Sequence, residues 1–118
     1  FSVVPSLDTK LCDLQTRRFE KEAAGMSEDI IIYAVSMDLP FAQKRYCGAN
    51  EIKKLKTLSD HKDASFGINY GVLVKETRLL TRSIFIVDKK NIVRYVEYVK
   101  SGHPDYDGAL KALKEISG

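Results

Sequence analysis

The chain has 118 residues, 44% apolar and 30% charged, and 19 Lys and Arg against 16 Asp and Glu leave a net charge of +3. That length makes one domain that buries a core without covalent staples, and so small a charge marks no nucleic-acid or membrane partner. Two cysteines are too few for a disulfide scaffold and point to redox or catalytic use, while no stretch approaches the roughly 20 apolar residues of a membrane span.

Phe1 to Val4 reads as the end of a buried strand. Pro5 ends it, because proline has no N–H to give to a sheet ladder. There is no initiator methionine, capping signal or signal peptide before this strand. The expectation is a fragment of a longer chain, whose targeting is not legible from its start. Ser6, Asp8 and Thr9 are helix-capping types, with Thr9 the expected N-cap. Helix formers continue to Ala24, and Gly25 suits the position after the cap.

Ile30 to Val35 is a β-branched run expected as a buried strand parallel to the first. Pro40 suits the first turn of a short helix over residues 41–49, with Gly48 stopping it. Lys53, Lys54 and Lys56 interleave with Ile52, Leu55 and Leu58, a solvated surface over an apolar underside rather than a polyanion site. Residues 55–58 suit a short strand and 63–70 a short helix. Gly71 turns into Val72-Leu73-Val74, and residues 75–80 read as a polar connection. Residues 81–88 and 92–99 read as an antiparallel hairpin about Lys89-Lys90-Asn91. His103-Pro104-Asp105 opens a last helix whose Ala109, Leu110, Leu113 and Ile116 form an apolar stripe.

The sum is βαβ, intervening helices and ββα, an α/β domain of thioredoxin-like order with a central mixed sheet flanked by helices. In such sheets, sites form beyond the carboxyl ends of the strands. Cys12 lies beyond one such end and residues 36–39 beyond another. Cys12 also falls in the first turn of its helix, where free N–H groups and the helix dipole favour an anion, and thiolates are the reactive form of cysteine. Thr9 is close enough to offer its hydroxyl to the sulfur or to a substrate oxygen. The alternative is a small buried apolar cysteine, and the local pattern leaves both open.

Pro5-Ser6-Leu7-Asp8-Thr9-Lys10-Leu11-Cys12 resembles the peroxidatic motif of peroxiredoxins in the form used by bacterial thiol peroxidases. Ser36-Met37-Asp38-Leu39-Pro40-Phe41-Ala42-Gln43-Lys44-Arg45-Tyr46-Cys47 resembles the resolving-cysteine segment of the same subfamily. The resemblance spans essentially the whole chain, lacking only that family's N-terminal hairpin and first strand and helix. It implies that Cys12 is peroxidatic and becomes a sulfenic acid. It implies that Thr9 contacts sulfur and peroxide, that Pro5 shields the site from water, and that Arg82 stabilises thiolate and leaving oxygen. Cys47 is implied as the resolving thiol, forming a Cys12–Cys47 disulfide that thioredoxin reduces. The two cysteines are expected apart when reduced, since a disulfide needs Cα atoms within roughly 7 Å. The same resemblance implies a hydroperoxide substrate, a homodimer, a bacterial cytoplasmic enzyme, and no cofactor, metal, nucleic acid or membrane.

Each residue also has a plainer reading. Arg82, at the mouth of a buried strand, suits a structural ion pair. Thr9 suits a cap, Pro5 a strand terminator, Cys47 a buried spacer, and Tyr46 and Phe41 packing. A thioredoxin-like disulfide oxidoreductase without peroxidase activity is the second functional reading, but Gln15 stands where a Cys-x-x-Cys would place its second thiol. Cys12, Cys47, His61 and His103 lack the paired spacing of a structural zinc site.

Overall fold

The computed structural model describes residues 1–117. Its elements run β1 (Ser2–Val3), α1 (Lys10–Ala23), β2 (Tyr33–Ser36), α2 (Pro40–Ala49), β3 (Lys56–Ser59), α3 (Ser65–Asn69), β4 (Leu73–Val74), β5 (Leu79–Leu80), β6 (Ser83–Val87), β7 (Val93–Tyr98) and α4 (Tyr106–Ser117). Five strands form one sheet in the order β3-β2-β1-β6-β7. β1 and β3 run parallel to β2, whereas β6 runs antiparallel to both β1 and β7. The sheet is therefore mixed, as expected.

Alternation along the strands sorts the core onto two faces. Ala34 and Ile84 pack with Phe19 of α1 and Ala109 of α4, together with Ile52 and Leu55. Their neighbours Val35 and Phe85, with Val3, pack against Val72 and Leu80 on the other face. α1 buries Cys12, Gln15, Thr16 and Phe19, the i, i+3, i+4, i+7 stripe of an amphipathic helix.

Several boundaries differ from the sequence expectation. β2 begins at Tyr33 rather than Ile30, because both of its neighbours start there or later: Lys56 lies opposite Tyr33, and Ser2 opposite Ala34. Ile30 is instead tied into a turn by its N–H to the Ser27 carbonyl at 3.1 Å. Gly25 follows the C-cap Ala24 without a positive φ; α1 ends in a tight turn through Gly25 N–H to Glu22 O at 3.1 Å.

Gly48 does not stop α2, which runs on to Ala49 with Asn50 as C-cap. The left-handed residue that closes it is Glu51, at φ 55°, and the Ile52 N–H then bonds the Cys47 carbonyl at 3.0 Å. This is a Schellman closure with a side chain where glycine is the strain-free choice. The stretch 75–80 is not wholly a connection, since Leu79–Leu80 pairs antiparallel with Leu73–Val74. α3 is shorter than expected and starts at Ser65, where Asp60 accepts the Phe66 and Gly67 N–H groups at 2.9 and 2.7 Å. Of the α4 stripe, only Ala109 is fully buried. Leu110, Leu113 and Ile116 line an open groove of about 860 Å³ against Phe19, Ile32 and Ile86, away from Cys12.

Candidate active site

β1 hands the chain to α1 through a short loop. The Val4 N–H still bonds the Val35 carbonyl at 3.0 Å, and Pro5 then ends the ladder because it has no donor. Thr9 is the N-cap residue of α1, in extended conformation, as expected. Its hydroxyl does not cap the helix; it donates to the Ser6 carbonyl at 2.9 Å. The proton is thereby committed, and the oxygen keeps lone pairs that can accept. Cys12 is the third residue of α1 and fully buried, in a cluster with Val4 and Leu7 against which Tyr46 packs.

Arg82 comes to this thiol by sheet register. Val3 lies opposite Ser83, so the antiparallel pairing sets Arg82 beside the end of β1. Its Nη2 donates to Cys12 Sγ at 3.3 Å, and its Nη1 donates to Gln15 Oε1 at 2.8 Å. Gln15 Nε2 in turn donates to Ser2 Oγ at 2.8 Å. A guanidinium thus lies against a buried sulfur and is steered by a buried amide one helical turn further along. The planar guanidinium serves the two acceptors from separate nitrogens held in a fixed geometry. The arrangement stabilises negative charge at Sγ and on any atom leaving it.

Sequence reading gives Gln15 no role. The signal was present, since a glutamine on the buried 12-15-16-19 face of a helix needs partners for its whole amide. Asp38 enters the sequence reading only as part of the segment that resembles the resolving-cysteine region, with no role of its own. Its carboxylate accepts Ser6 Oγ at 2.7 Å, the Leu7 N–H at 2.8 Å and Ser36 Oγ at 2.8 Å. It ties the loop before Cys12 to the loop that leads into α2. Gln43 Nε2 extends this network to Ser36 Oγ at 3.1 Å and the Leu58 carbonyl at 2.9 Å.

Cys47 lies on α2 and is half-buried against the Phe19–Ile52–Leu55 cluster, apart from the one that holds Cys12. Both thiols are free. Burial pushes the Cys47 thiol above its ordinary value, and Glu20 adds to this against a bond from Thr57. α1 and α2 meet through Tyr46, whose Oη donates to Asp13 Oδ1 at 2.6 Å. Among the described residues, no three His, Cys, Asp or Glu side chains gather in metal-binding geometry, and no helix is long and apolar enough to cross a membrane.

The structure therefore brings Arg82 against Cys12 beyond the carboxyl end of the central strand β1, with Pro5 and Thr9 on the loop between β1 and α1 and Cys47 on α2. Known proteins share this chain's pattern. The Redoxin family model matches residues 1–110. A thiol peroxidase of Bacillus subtilis is 53% identical over 117 residues, covering 98% of this chain and 70% of that protein. One of Staphylococcus saprophyticus is 55% identical over the same shares of both chains. Among solved structures, a peroxiredoxin-like protein from Aquifex aeolicus superposes with a TM-score of 0.91 at 40% identity, over 98% of this chain and 69% of that one. The chain belongs to the Redoxin family and, within it, to the thiol peroxidases, enzymes of peroxiredoxin type.

Proposed function

We propose that Cys12 is the peroxidatic residue of a thiol peroxidase that reduces hydrogen peroxide and organic hydroperoxides. The observation that carries this reading is the Arg82 guanidinium held 3.3 Å from a buried sulfur in the first turn of a helix. The Cys12 thiolate attacks the peroxide oxygen. An S–O bond forms, the O–O bond breaks, and the departing hydroxide or alkoxide takes a proton to leave as water or alcohol. Arg82 and the α1 N-terminus hold the charge that moves from sulfur to leaving oxygen. Thr9, its own proton committed to Ser6, accepts the hydrogen of the bound hydroperoxide. Pro5 covers the site against water.

Cys12 is left as a sulfenic acid. The Cys47 sulfur then bonds to it, hydroxide leaves with the Cys47 proton as water, and an intrachain Cys12–Cys47 disulfide results. Two electrons from a dithiol reductant, thioredoxin in this proposal, return both thiols by exchange. The separate packing of the two free cysteines means that this step requires local unwinding about α2. A homodimer belongs to the same reading, supported by Leu39 and Phe41, which are 51% and 79% exposed at the start of α2. So does a cytoplasmic location, where a thioredoxin system operates.

The test is peroxide consumption by the reduced protein with thioredoxin, its reductase and NADPH, comparing wild type with Cys47→Ser. Wild type turns over, whereas Cys47→Ser is expected to complete one oxidation and stop. Sustained turnover by Cys47→Ser would remove the resolving role.

A further inference from the structure

One contact joins the residues next to the two thiols. Asp13 follows Cys12 on α1 and Tyr46 precedes Cys47 on α2, and the Tyr46 hydroxyl donates to Asp13 Oδ1 at 2.6 Å. Two neighbours brace it. Arg17 Nε donates to the same Asp13 oxygen at 2.8 Å. The Arg17 guanidinium also bonds Asn50 Oδ1, and Asn50 Nδ2 bonds the Tyr46 carbonyl at 2.9 Å. Tyr46 packs on the Val4–Leu7–Cys12 cluster and also on the Phe19–Ile52–Leu55 cluster, whereas Cys47 packs on the second alone.

We infer that the Asp13–Tyr46 bond is a clasp that sets how quickly Cys47 reaches an oxidised Cys12, and so how readily the enzyme is overoxidised. This rests on the disulfide reading proposed above. With the clasp closed, α2 is held against α1 and the Cys47 sulfur stays with its own cluster. For the Cys47 sulfur to bond to the Cys12 sulfur, with loss of the sulfenic hydroxide as water, the last turns of α2 have to leave α1. That motion breaks the clasp. Before it opens, a second peroxide can transfer an oxygen to the sulfenic acid, giving a sulfinic acid and water. The partition between disulfide and sulfinic acid therefore follows the opening rate. The acceptor is an ionised carboxylate, so the bond is of the stronger, charge-assisted kind. Its removal is expected to shift opening by about tenfold or more.

Tyr46→Phe removes the hydroxyl and keeps the packing ring. Reduced wild type and Tyr46→Phe are mixed with one equivalent of hydrogen peroxide, quenched with acid at intervals, and read by mass spectrometry for thiol, sulfenic acid, disulfide and sulfinic acid. Tyr46→Phe is expected to lose its Cys12 thiol at the wild-type rate but to form disulfide about tenfold faster. At high peroxide it is expected to accumulate less sulfinic acid. Asp13→Asn, which leaves a neutral acceptor, is expected to fall between the two. Wild-type disulfide kinetics in Tyr46→Phe would overturn the clasp while leaving the disulfide reading intact. Absence of a Cys12–Cys47 disulfide in wild type would overturn that reading and the clasp with it.

Discussion

Gln15 offers the sharpest test of how the reactive corner is held. Gln15→Met keeps the length of the side chain and deletes its amide. Two bonds go: the 2.8 Å acceptor contact to Arg82 Nη1 and the 2.8 Å donor contact to Ser2 Oγ. The first involves a charged partner and is worth about 1.5–3 kcal/mol, against about 0.5–1.5 kcal/mol for the neutral second. If the Arg82 bond fixes the guanidinium against Cys12, most of its energy is felt when charge moves onto the leaving oxygen. That corresponds to a loss of about 10- to 100-fold in the rate of Cys12 oxidation. Ser2 Oγ, buried to 2% exposure, also loses its partner, at a cost of about 1–3 kcal/mol in stability. Ser2→Ala separates the two effects, because it breaks the second bond and leaves Arg82 on Gln15. The assay is hydrogen peroxide oxidation in a Cys47→Ser background, with the sulfenic acid trapped by dimedone and counted by mass spectrometry, beside urea unfolding of each variant. Gln15→Met is expected to be slow and less stable, and Ser2→Ala less stable only. Wild-type oxidation in Gln15→Met, or equal slowing in Ser2→Ala, would refute the positioning role.

Two further outcomes follow from other contacts. Burial, then Glu20, raises the Cys47 thiol above its ordinary titration, so the folded state keeps the proton that an opened α2 gives up more easily. The stability this contributes is present below the ordinary thiol value of about 8.5 and is lost as pH rises through the folded value. In Cys12→Ser, alkylation of Cys47 by iodoacetamide is expected to show a pH midpoint above that of an unstructured cysteine peptide, and a midpoint at or below it would contradict the burial argument. Asp38→Asn replaces one carboxylate oxygen by a donor amide, which takes the acceptor from Ser6 Oγ if it replaces Oδ1, or from both the Leu7 N–H and Ser36 Oγ if it replaces Oδ2. A stability loss of about 1–3 kcal/mol is expected in urea unfolding, and an unchanged midpoint would show that this network does not hold the two loops together.

The order of elements was legible because β-branched runs, prolines and caps are local signals. Pro5 and Thr9 alone placed Cys12 in the first turn of α1. Arg82 was different: its meeting with Cys12 depends on pairing between β1 and β6, some eighty residues apart in sequence, and only the family resemblance assigned it there. Leu79 and Leu80 were missed as a strand because two residues carry no period. Gly48 was misread because the left-handed helix closure fell to Glu51 instead. The partners of Gln15, Asp38 and Asp13 are not legible in the sequence for one shared reason. Each is a polar side chain whose partner lies on another element, and composition does not announce which partner the fold will supply.

The most direct test of the central assignment is the reaction of reduced Cys12→Ser with hydrogen peroxide, followed beside wild type by thiol titration and mass spectrometry. Wild type is expected to lose both thiols and gain a Cys12–Cys47 disulfide. Cys12→Ser is expected to keep its Cys47 thiol over the same interval, because among the described residues no other sulfur lies against a guanidinium at a helix N-terminus. Oxidation of Cys12→Ser at the wild-type rate would contradict the assignment of Cys12 as the reacting thiol.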